Sequence, residues 1–279
     1  MKNKTCFIVC GATAVGKTSY AIDLAKQYNT QIISADSRQC FKELNIGVAK
    51  PSTAQLHSIH HYFINSHSIH EEVNVKVFEV YALDAVTKIF QNNDYAVMAG
   101  GTGLYIKAFC EGLDNLPEVG DVLRRKIAEE YRQKGLQWLR EEIREKDAAY
   151  FSSGEIANPQ RLMRALEVKL STGNSILDFQ SGKKAVRDFE IQFIKLELPR
   201  SDLYERINNR VDEMMEQGLS KEAEALYPFR HLNALQTVGY KELFEYMDDQ
   251  ISLDEAIEKI KKNTRQFAKR QITWFKKSV

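Results

Sequence analysis

The sequence predicts an α/β protein with a parallel sheet core, a helical insertion and a helical C-terminal part. Three observations support this fold class. Short apolar runs alternate with segments of helical periodicity in the N-terminal part, which is typical of a parallel sheet flanked by helices. A glycine-rich turn follows the first apolar run. After Pro117 the chain becomes rich in Arg, Lys, Glu and Leu at helical spacing.

Three strands and two helices are predicted first. The strands are the apolar runs Cys6–Cys10, Gln31–Ala35 and Tyr95–Ala99, and the helices are Lys17–Gln27 and Val77–Phe90. Ligands of open parallel sheets bind at the carboxyl ends of the strands. Here these ends carry a glycine-rich loop, an Asp-Ser pair and a second glycine-rich loop, so we expect them to share one cleft.

The core is predicted to be interrupted by an insertion. Residues 121–180 have helical spacing and no convincing strand, whereas Phe189–Pro199 alternates apolar residues and predicts a strand that rejoins the sheet. We therefore assign residues 1–115 and 186–279 to the core with its C-terminal helices, and residues 116–185 to a helical insertion.

Composition excludes several classes of protein. With 43% hydrophobic and 28% charged residues, the 279-residue chain is typical of a globular protein. Its net charge is +1, so a nucleic-acid site would need a local concentration of basic residues. The four cysteines form no C-x-x-C pair, which suits a reducing compartment. No signal peptide, membrane span or heptad seam is indicated, so we expect a cytoplasmic, monomeric enzyme.

The first glycine-rich turn fits the phosphate-binding pattern G-x-x-x-x-G-K-[ST] between a strand and a helix, which makes the core P-loop NTPase-like. Backbone N–H groups and the helix N-terminus of such a loop bind an anion. The lysine adds a full charge and the threonine hydroxyl can bind Mg²⁺. An ordinary βα turn is the alternative. The eight residues are Gly11, Ala12, Thr13, Ala14, Val15, Gly16, Lys17 and Thr18.

The other two strand ends supply candidate catalytic residues. Asp36 could hold Mg²⁺ through water, act as a general base on an acceptor, or cap the next helix, and the sequence leaves these roles open. The third strand leads into Gly100–Gly103 without the acidic residue of a typical NTPase, which favours diphosphate binding over ATP hydrolysis. Its glycines could let the backbone approach a ligand, with the Thr102 hydroxyl nearby, or form a plain turn.

Basic residues concentrate near the C-terminus, where Ala256–Val279 holds eight Lys or Arg and one acid, Glu258. The pattern predicts an amphipathic helix with a basic outer face, and a solvated surface helix is the alternative. Further basic clusters at Arg124–Lys126 and Arg161–Arg164 favour contact with a phosphodiester backbone. One stripe of the helix is Ile257, Ile260, Thr264, Phe267, Gln271 and Trp274, and the basic stripe is Lys262, Arg265, Lys269 and Lys276.

Five histidines lie between His57 and His70. They come without Cys or an H-E-x-x-H motif, and the adjacent His60 and His61 would point apart on a regular helix or strand. We therefore expect no metal site there.

Together these motifs resemble the tRNA dimethylallyltransferase (isopentenyl-diphosphate:tRNA transferase) family. The resemblance covers nearly the whole chain, in the order of the family. The matching stretches are "GATAVGKT", "IISADSRQ", "IGVAKPS", "HHYFI", "AGGTGLYIKA", "NPQRLMRALEV", "TVGYKEL" and "NTRQFAKRQITWF".

The resemblance implies that the chain transfers a dimethylallyl group from dimethylallyl diphosphate to N6 of adenosine 37, next to the anticodon, in tRNA, with Mg²⁺ as cofactor. It implies that the insertion clasps the anticodon stem-loop. Asp36 matches the general base, Thr102 the threonine beside the bridging oxygen, Lys17 and Arg210 the diphosphate-binding cations, and Thr18 the Mg²⁺ ligand. The matching tRNA-contacting residues are Asp36, Ser37, Arg38, Gln39, Thr102, Arg124, Gln160, Arg161, Leu162, Met163, Arg164, Gln236, Thr237, Val238, Gly239, Tyr240, Lys241, Asn263, Thr264, Arg265, Gln266, Phe267, Ala268, Lys269 and Arg270.

Three positions depart from the family pattern: Ala12 and Val15 stand where the loop usually has Pro and Ser, and Asn65 stands where the family has Asp. Three other functions compete with this assignment. A P-loop kinase using ATP, or an adenylate isopentenyltransferase acting on free AMP, ADP or ATP, would leave the basic insertion and C-terminal helix unexplained. A non-catalytic RNA-binding module would not need the intact set of Lys17, Asp36 and Thr102.

Overall fold

The structure, a computed structural model, describes residues 4–278 and divides into two compact units. The core unit combines residues 4–112 and 186–278, and the helical unit is Leu113–Ala185. The first junction lies at residue 113, where the sequence suggested 116.

The secondary structure follows the predicted order. The strands are β1 (Thr5–Gly11), β2 (Ile32–Ser34), β3 (His61–Tyr62), β4 (Tyr95–Gly100) and β5 (Glu190–Leu196). The helices are α1 (Lys17–Gln27), α2 (Thr53–Ser58), α3 (Val75–Asn92), α4 (Gly103–Glu111), α5 (Asp121–Lys146), α6 (Ala148–Ser153), α7 (Pro159–Thr172), α8 (Arg200–Glu216), α9 (Leu219–Leu226), α10 (Tyr240–Met247) and α11 (Leu253–Ser278). Across the described chain, no helix combines the length and apolar character that crossing a bilayer would require.

All strands of the described sheet run parallel, in the order β3-β2-β4-β1-β5. β1 lies between β4 and β5, with Cys6 opposite both Ala96 and Ile191. The predicted parallel sheet is therefore confirmed. The strand predicted over Phe189–Pro199 is β5, at the edge of the sheet. Sequence reasoning missed the short strand β3, which pairs with β2.

Helices cover both faces of the sheet. Ile8 of β1 belongs to the cluster that contains Phe78 of α3 and Phe109 of α4, whereas Val9 belongs to the cluster that contains Ile22 of α1. A strand that is buried on both faces needs apolar side chains at successive positions. This explains why β1 is a continuous apolar run and is buried along its whole length.

The helical unit is built from α5, α6 and α7, and residues 113–185 contain no strand, as the sequence predicted. α5 is broken at Gly135, whose φ of 76° is left-handed. α7 begins after Asn158, whose side chain accepts two backbone N–H bonds as an N-cap. Buried residues of α5 and α7, among them Leu139 and Leu162, belong to a separate core.

Candidate active site

The phosphate-binding loop lies where β1 ends and α1 begins. Gly11, the last residue of β1, has a φ of 146°, and a Cβ there would lie 2.5 Å from the carbonyl oxygen of Leu196, so this position requires glycine. α1 starts within the phosphate-binding motif, at Lys17, and its first N–H groups carry partial positive charge. Ala14 holds a left-handed φ of 64°, a strained conformation of a kind that functional sites retain.

Two residues that depart from the family loop, Ala12 and Val15, pack inside the protein. Both are buried and belong to a cluster with Leu203 and Ile207 of α8. The carbonyl oxygen of Ala12 accepts a hydrogen bond from Lys17 Nζ at 2.7 Å. These substitutions therefore change the packing behind the loop.

The third departure, Asn65, lies beside a lysine. Its Oδ1 accepts a hydrogen bond from Lys50 Nζ at 2.5 Å, and the carbonyl oxygen of Phe41 accepts another from the same group at 2.5 Å. Burial lowers the pKa of Lys50 to about 8. With Asn65, this cation has a neutral partner where an aspartate would supply a charged one.

The electrostatic surroundings of Lys17 favour the binding of an anion. Burial of its ammonium group lowers the pKa to about 8; the nearby Asp36 carboxylate raises it, and the Arg210 guanidinium lowers it. A negatively charged ligand at the loop would favour the protonated form and raise the pKa again.

Two cavities adjoin at the loop, both within the core unit. The loop cavity has a volume of about 370 Å³ and is lined by Gly16, Lys17, Thr18 and Gly101, among others. The outer cavity has a volume of about 540 Å³ and extends between the ends of β2 and β4 and the helices α8 and α11. The residues that line both cavities are Thr13, Asp36, Val48, Ala49, Arg210, Met214 and Phe267.

Asp36 lies just after β2 and lines both cavities. Its Oδ1 accepts hydrogen bonds from the backbone N–H of Arg38 at 2.9 Å and of Gln39 at 3.2 Å. A turn follows Asp36 instead of a helix, so the helix N-cap that the sequence left open is not formed, and the carboxylate caps this turn instead. The Oγ1 of Thr102 accepts a hydrogen bond from the Ser37 N–H at 3.1 Å, which joins the ends of β2 and β4.

Arg210 reaches the loop from α8. Its Nη1 donates to the Oγ1 of Thr13 over 3.4 Å, and burial lowers its pKa, but a guanidinium remains charged. The site therefore places two cations, Lys17 and Arg210, around the entrance to the loop cavity.

The glycines after β4 make room for protein atoms. Protein atoms fill the space that a Cβ would occupy, and Gly100 and Gly101 also line the loop cavity, so the close approach of this backbone to a ligand stays a prediction. A Cβ would lie 2.2 Å from the Ala35 oxygen at Gly100, 2.2 Å from the Gln271 Nε2 at Gly101 and 2.3 Å from the Trp274 ring at Gly103.

Sequence reasoning missed two side chains that hold the site together. Gln271 of α11 bridges the phosphate-binding loop and the segment after β4; its signal was a buried amide within the apolar stripe of α11. Glu222 of α9 accepts hydrogen bonds from the backbone N–H of Ile46 at 2.9 Å and Gly47 at 3.0 Å, next to the cavity wall. Glu222 is one of two acids in a charged helix, and this pattern gave no signal for its role.

The structure brings most predicted tRNA-contacting residues of the core unit into the outer cavity. Phe267 was expected on the apolar stripe of α11, but its side chain is 41% exposed and lines the cavities. The predicted tRNA-contacting residues that line the outer cavity are Asp36, Ser37, Arg38, Thr102, Gln236, Thr237, Val238, Gly239, Lys241, Asn263, Thr264, Gln266, Phe267 and Arg270.

Other predicted contacts lie elsewhere. Gln39 lines the loop cavity. Arg265 is not on a free basic face, because its Nη1 donates to the Oδ1 of Asn208 at 2.5 Å. Lys269 is exposed beside a separate cavity at the end of β5. Four side chains belong to the hydrophobic cores, so they cannot contact RNA: Leu162, Met163, Tyr240 and Ala268.

Within the helical unit, only part of the predicted basic surface is exposed. Gln160 and Arg161 are exposed in the first turn of α7. Arg164 donates to Glu167 at 3.1 Å and to the Pro117 carbonyl oxygen at 3.1 Å, and Arg124 also lies 3.8 Å from Glu167. Glu167 therefore offsets part of the positive charge of this cluster.

The side chains near the loop fit Mg²⁺ better than a transition metal. Across the described residues, no group of three or more His, Cys, Asp or Glu could hold a metal ion. The Thr18 hydroxyl and the Asp36 carboxylate both line the loop cavity. Mg²⁺ prefers oxygen ligands and usually completes its shell with water and substrate phosphates, so the chemistry of these two side chains fits that ion.

Comparisons with known proteins point to one family. The family model described as IPP transferase matches residues 39–278. A protein named tRNA dimethylallyltransferase from Flavobacterium psychrophilum is 48% identical over 276 residues, covering 97% of this chain and 90% of the relative. One of the same name from Cytophaga hutchinsonii is 44% identical over 277 residues, covering 99% and 91%.

Solved structures agree with the sequence matches. A tRNA isopentenylpyrophosphate transferase from Bacillus halodurans has a TM-score of 0.71 at 33% identity, covering 99% of this chain and 87% of that one. A eukaryotic dimethylallyltransferase acting on tRNA has a TM-score of 0.78 at 26% identity, covering 97% and 69%.

Proposed function

The chain belongs to the IPP transferase family, and we infer that it is a prenyltransferase that moves the dimethylallyl group of dimethylallyl diphosphate onto tRNA. One observation carries this inference: the phosphate-binding cavity and a larger cavity meet at Asp36, Thr13 and Arg210. Two substrates that bind in these two cavities would meet beside the Asp36 carboxylate and the Arg210 guanidinium. A donor with a diphosphate and an acceptor with an exposed amine fit that arrangement.

The loop cavity suits the diphosphate of the donor. The α1 N-terminus, Lys17 and Arg210 surround it with positive charge. When the bond between the allylic carbon and the bridging oxygen breaks, the electron pair leaves with the diphosphate. Fixed positive groups stabilise that developing charge because they need no reorganisation during the reaction.

We propose that Thr18 and Asp36 hold Mg²⁺ at the diphosphate, with Asp36 acting through water. The ion would neutralise charge on the leaving group. This role of Asp36 is compatible with general-base action, because its carboxylate has two oxygens and lines both cavities.

We propose adenosine 37 in the anticodon stem-loop as the acceptor. The outer cavity has a volume of about 540 Å³, which admits a base turned out of its stack. N6 forms the new bond to the allylic carbon and gives its proton to the Asp36 carboxylate. We expect the Thr102 hydroxyl, which lines the same cavity, to contact the bridging oxygen of the donor.

We further propose that the protein acts as a monomer in the cytoplasm. All proposed substrate-binding residues belong to one chain, tRNA is a cytoplasmic substrate, and the four cysteines are free thiols.

The decisive experiment is a transfer assay with labelled dimethylallyl diphosphate and Mg²⁺. Unmodified anticodon stem-loop RNA and free AMP are offered in parallel. We expect label on N6 of adenosine 37 and none on AMP. Label on AMP would favour an adenylate isopentenyltransferase, and label on neither acceptor would contradict a prenyltransferase.

A further inference from the structure

Gln271 makes two hydrogen bonds that connect the ends of two strands. Its Oε1 accepts from the backbone N–H of Thr13 at 2.8 Å, and its Nε2 donates to the carbonyl oxygen of Gly101 at 2.9 Å. One partner is a donor and the other an acceptor, so the orientation of the amide is fixed. The side chain is nearly buried, at 7% exposed, and the missing Cβ of Gly101 leaves room for Nε2.

Each partner adjoins a residue of the proposed reaction. Thr13 lies in the phosphate-binding loop, and its backbone N–H donates to Gln271. This N–H group therefore stabilises the conformation of the loop. Gly101 precedes Thr102, whose Oγ1 accepts from the Ser37 N–H beside Asp36. One amide therefore connects the diphosphate side of the site to the general-base side.

We propose that Gln271 is a positioning residue that sets the distance between the phosphate-binding loop and the Thr102–Asp36 side of the site. The proposal rests on the function proposed above. Transfer requires the allylic carbon and N6 to meet at reacting distance. A misplacement of about 1 Å between reacting groups can cost about 10²-fold in rate, whereas each substrate alone would tolerate the shift.

The test compares full-length wild type with Gln271→Met and Gln271→Glu. A methionine side chain is similar in length to glutamine but can form neither of the two hydrogen bonds. A glutamate keeps an acceptor for the Thr13 N–H but has no donor for the Gly101 carbonyl oxygen. Thr273→Val is the matched control, because it removes a hydrogen bond to the Lys269 carbonyl oxygen on the same helix outside both cavities. Single-turnover transfer is measured with both substrates saturating.

We expect both Gln271 variants to slow saturated transfer by about 10²-fold, with the affinity of Gln271→Met for inorganic pyrophosphate and of both variants for stem-loop RNA near wild type. Thr273→Val should keep the wild-type rate. A second readout uses Thr102→Val. If Gln271 acts through the Thr102 segment, the effects of the two substitutions should not multiply. The double variant, Gln271→Met with Thr102→Val, should then transfer at nearly the rate of the slower of the two single variants.

A saturated rate near wild type in both Gln271 variants would overturn the positioning role, as would strictly multiplicative effects in the double variant. If the variants lost only thermal stability, or lost affinity for both pyrophosphate and stem-loop RNA, the role of Gln271 would be merely structural. That result would also overturn the proposal. These failures leave the proposed function standing, because wild type still transfers the prenyl group. Absence of transfer by wild type would instead overturn the proposed function and this inference together.

Discussion

Asp36 shows how one carboxylate can serve both folding and chemistry. Its Oδ1 caps the turn after β2 through the N–H groups of Arg38 and Gln39, and the same group lines both cavities. An asparagine would keep the capping oxygen but would be far too weak a base. The two roles can therefore be separated by one substitution.

We expect Asp36→Asn to slow single-turnover prenyl transfer by about 10²–10⁴-fold, the usual contribution of a general base. Its thermal unfolding midpoint and stem-loop affinity should stay near wild type because the cap remains. Asp84→Asn, at an exposed position of α3, is the matched control. A transfer rate within a few fold of wild type would exclude Asp36 as the base.

Lys17 predicts a pH dependence of diphosphate binding. Its pKa is lowered to about 8 in the free protein, chiefly by burial, and bound diphosphate should raise it. Below pH 8 the lysine is already charged, so its contribution is constant. Above pH 8 binding must also take up a proton, and affinity should fall by up to about tenfold per pH unit.

Calorimetric titration with inorganic pyrophosphate from pH 7 to 10 measures this dependence. Lys17→Arg is the control, because arginine stays charged over that range and its profile reports only the ionisation of pyrophosphate itself. Above pH 8 the wild-type affinity should therefore fall relative to that of Lys17→Arg. Parallel profiles of the two proteins would mean that the charge of Lys17 does not contribute to binding.

At the scale of elements, hydrophobic patterning predicted most of the core unit. Successive apolar positions identified β1 and β4, and α1 begins and ends at the predicted residues. β3 was missed because two residues are too short for any period to be read. The two stripes of α11 were only partly predicted. Phe267 and Gln271 were placed on the same stripe, but Phe267 lines a cavity and Gln271 contacts two loops. Those orientations depend on tertiary partners that are distant in sequence.

The same limit applies to the candidate site. Local motifs identified the phosphate-binding loop and Asp36, whereas Arg210 was assigned only by resemblance, since its partner Thr13 is 197 residues away. Glu222 supports residues that are more than 170 positions away. Residue spacing in the sequence predicts only local contacts, so it cannot identify such distant pairs.

α11 gives a prediction about RNA contact. Arg270 lines the outer cavity, whereas Lys277 is exposed near the end of the same helix. If Arg270 neutralises a phosphate, Arg270→Ala should lower stem-loop affinity and flatten the log-affinity against log-salt slope by about 0.7–0.9. Lys277→Ala removes the same charge and should leave the slope unchanged. Parallel lines for Arg270→Ala and wild type would show that α11 does not bind phosphate at this position.

For the whole molecule, a net charge of +1 means that long-range attraction to RNA is weak, so binding must depend on local groups. The two compact units have separate hydrophobic cores. Within the core unit, the chain returns next to the point where it leaves, because Arg187 donates to the carbonyl oxygens of Phe109 at 2.8 Å and Ala108 at 3.1 Å. A short linker could therefore replace the helical unit.

We expect a chain in which a Gly-Ser linker replaces residues 113–185 to unfold cooperatively and to bind inorganic pyrophosphate as wild type does, because every residue of the loop cavity lies outside the deleted segment. Stem-loop affinity should fall by at least about tenfold, the loss of one or two charged hydrogen bonds, since exposed Gln160 and Arg161 are removed. Circular dichroism, calorimetry and filter binding measure the three properties. Unchanged RNA affinity would contradict an RNA-binding role for the helical unit, and an unfolded product would show that the core unit depends on it.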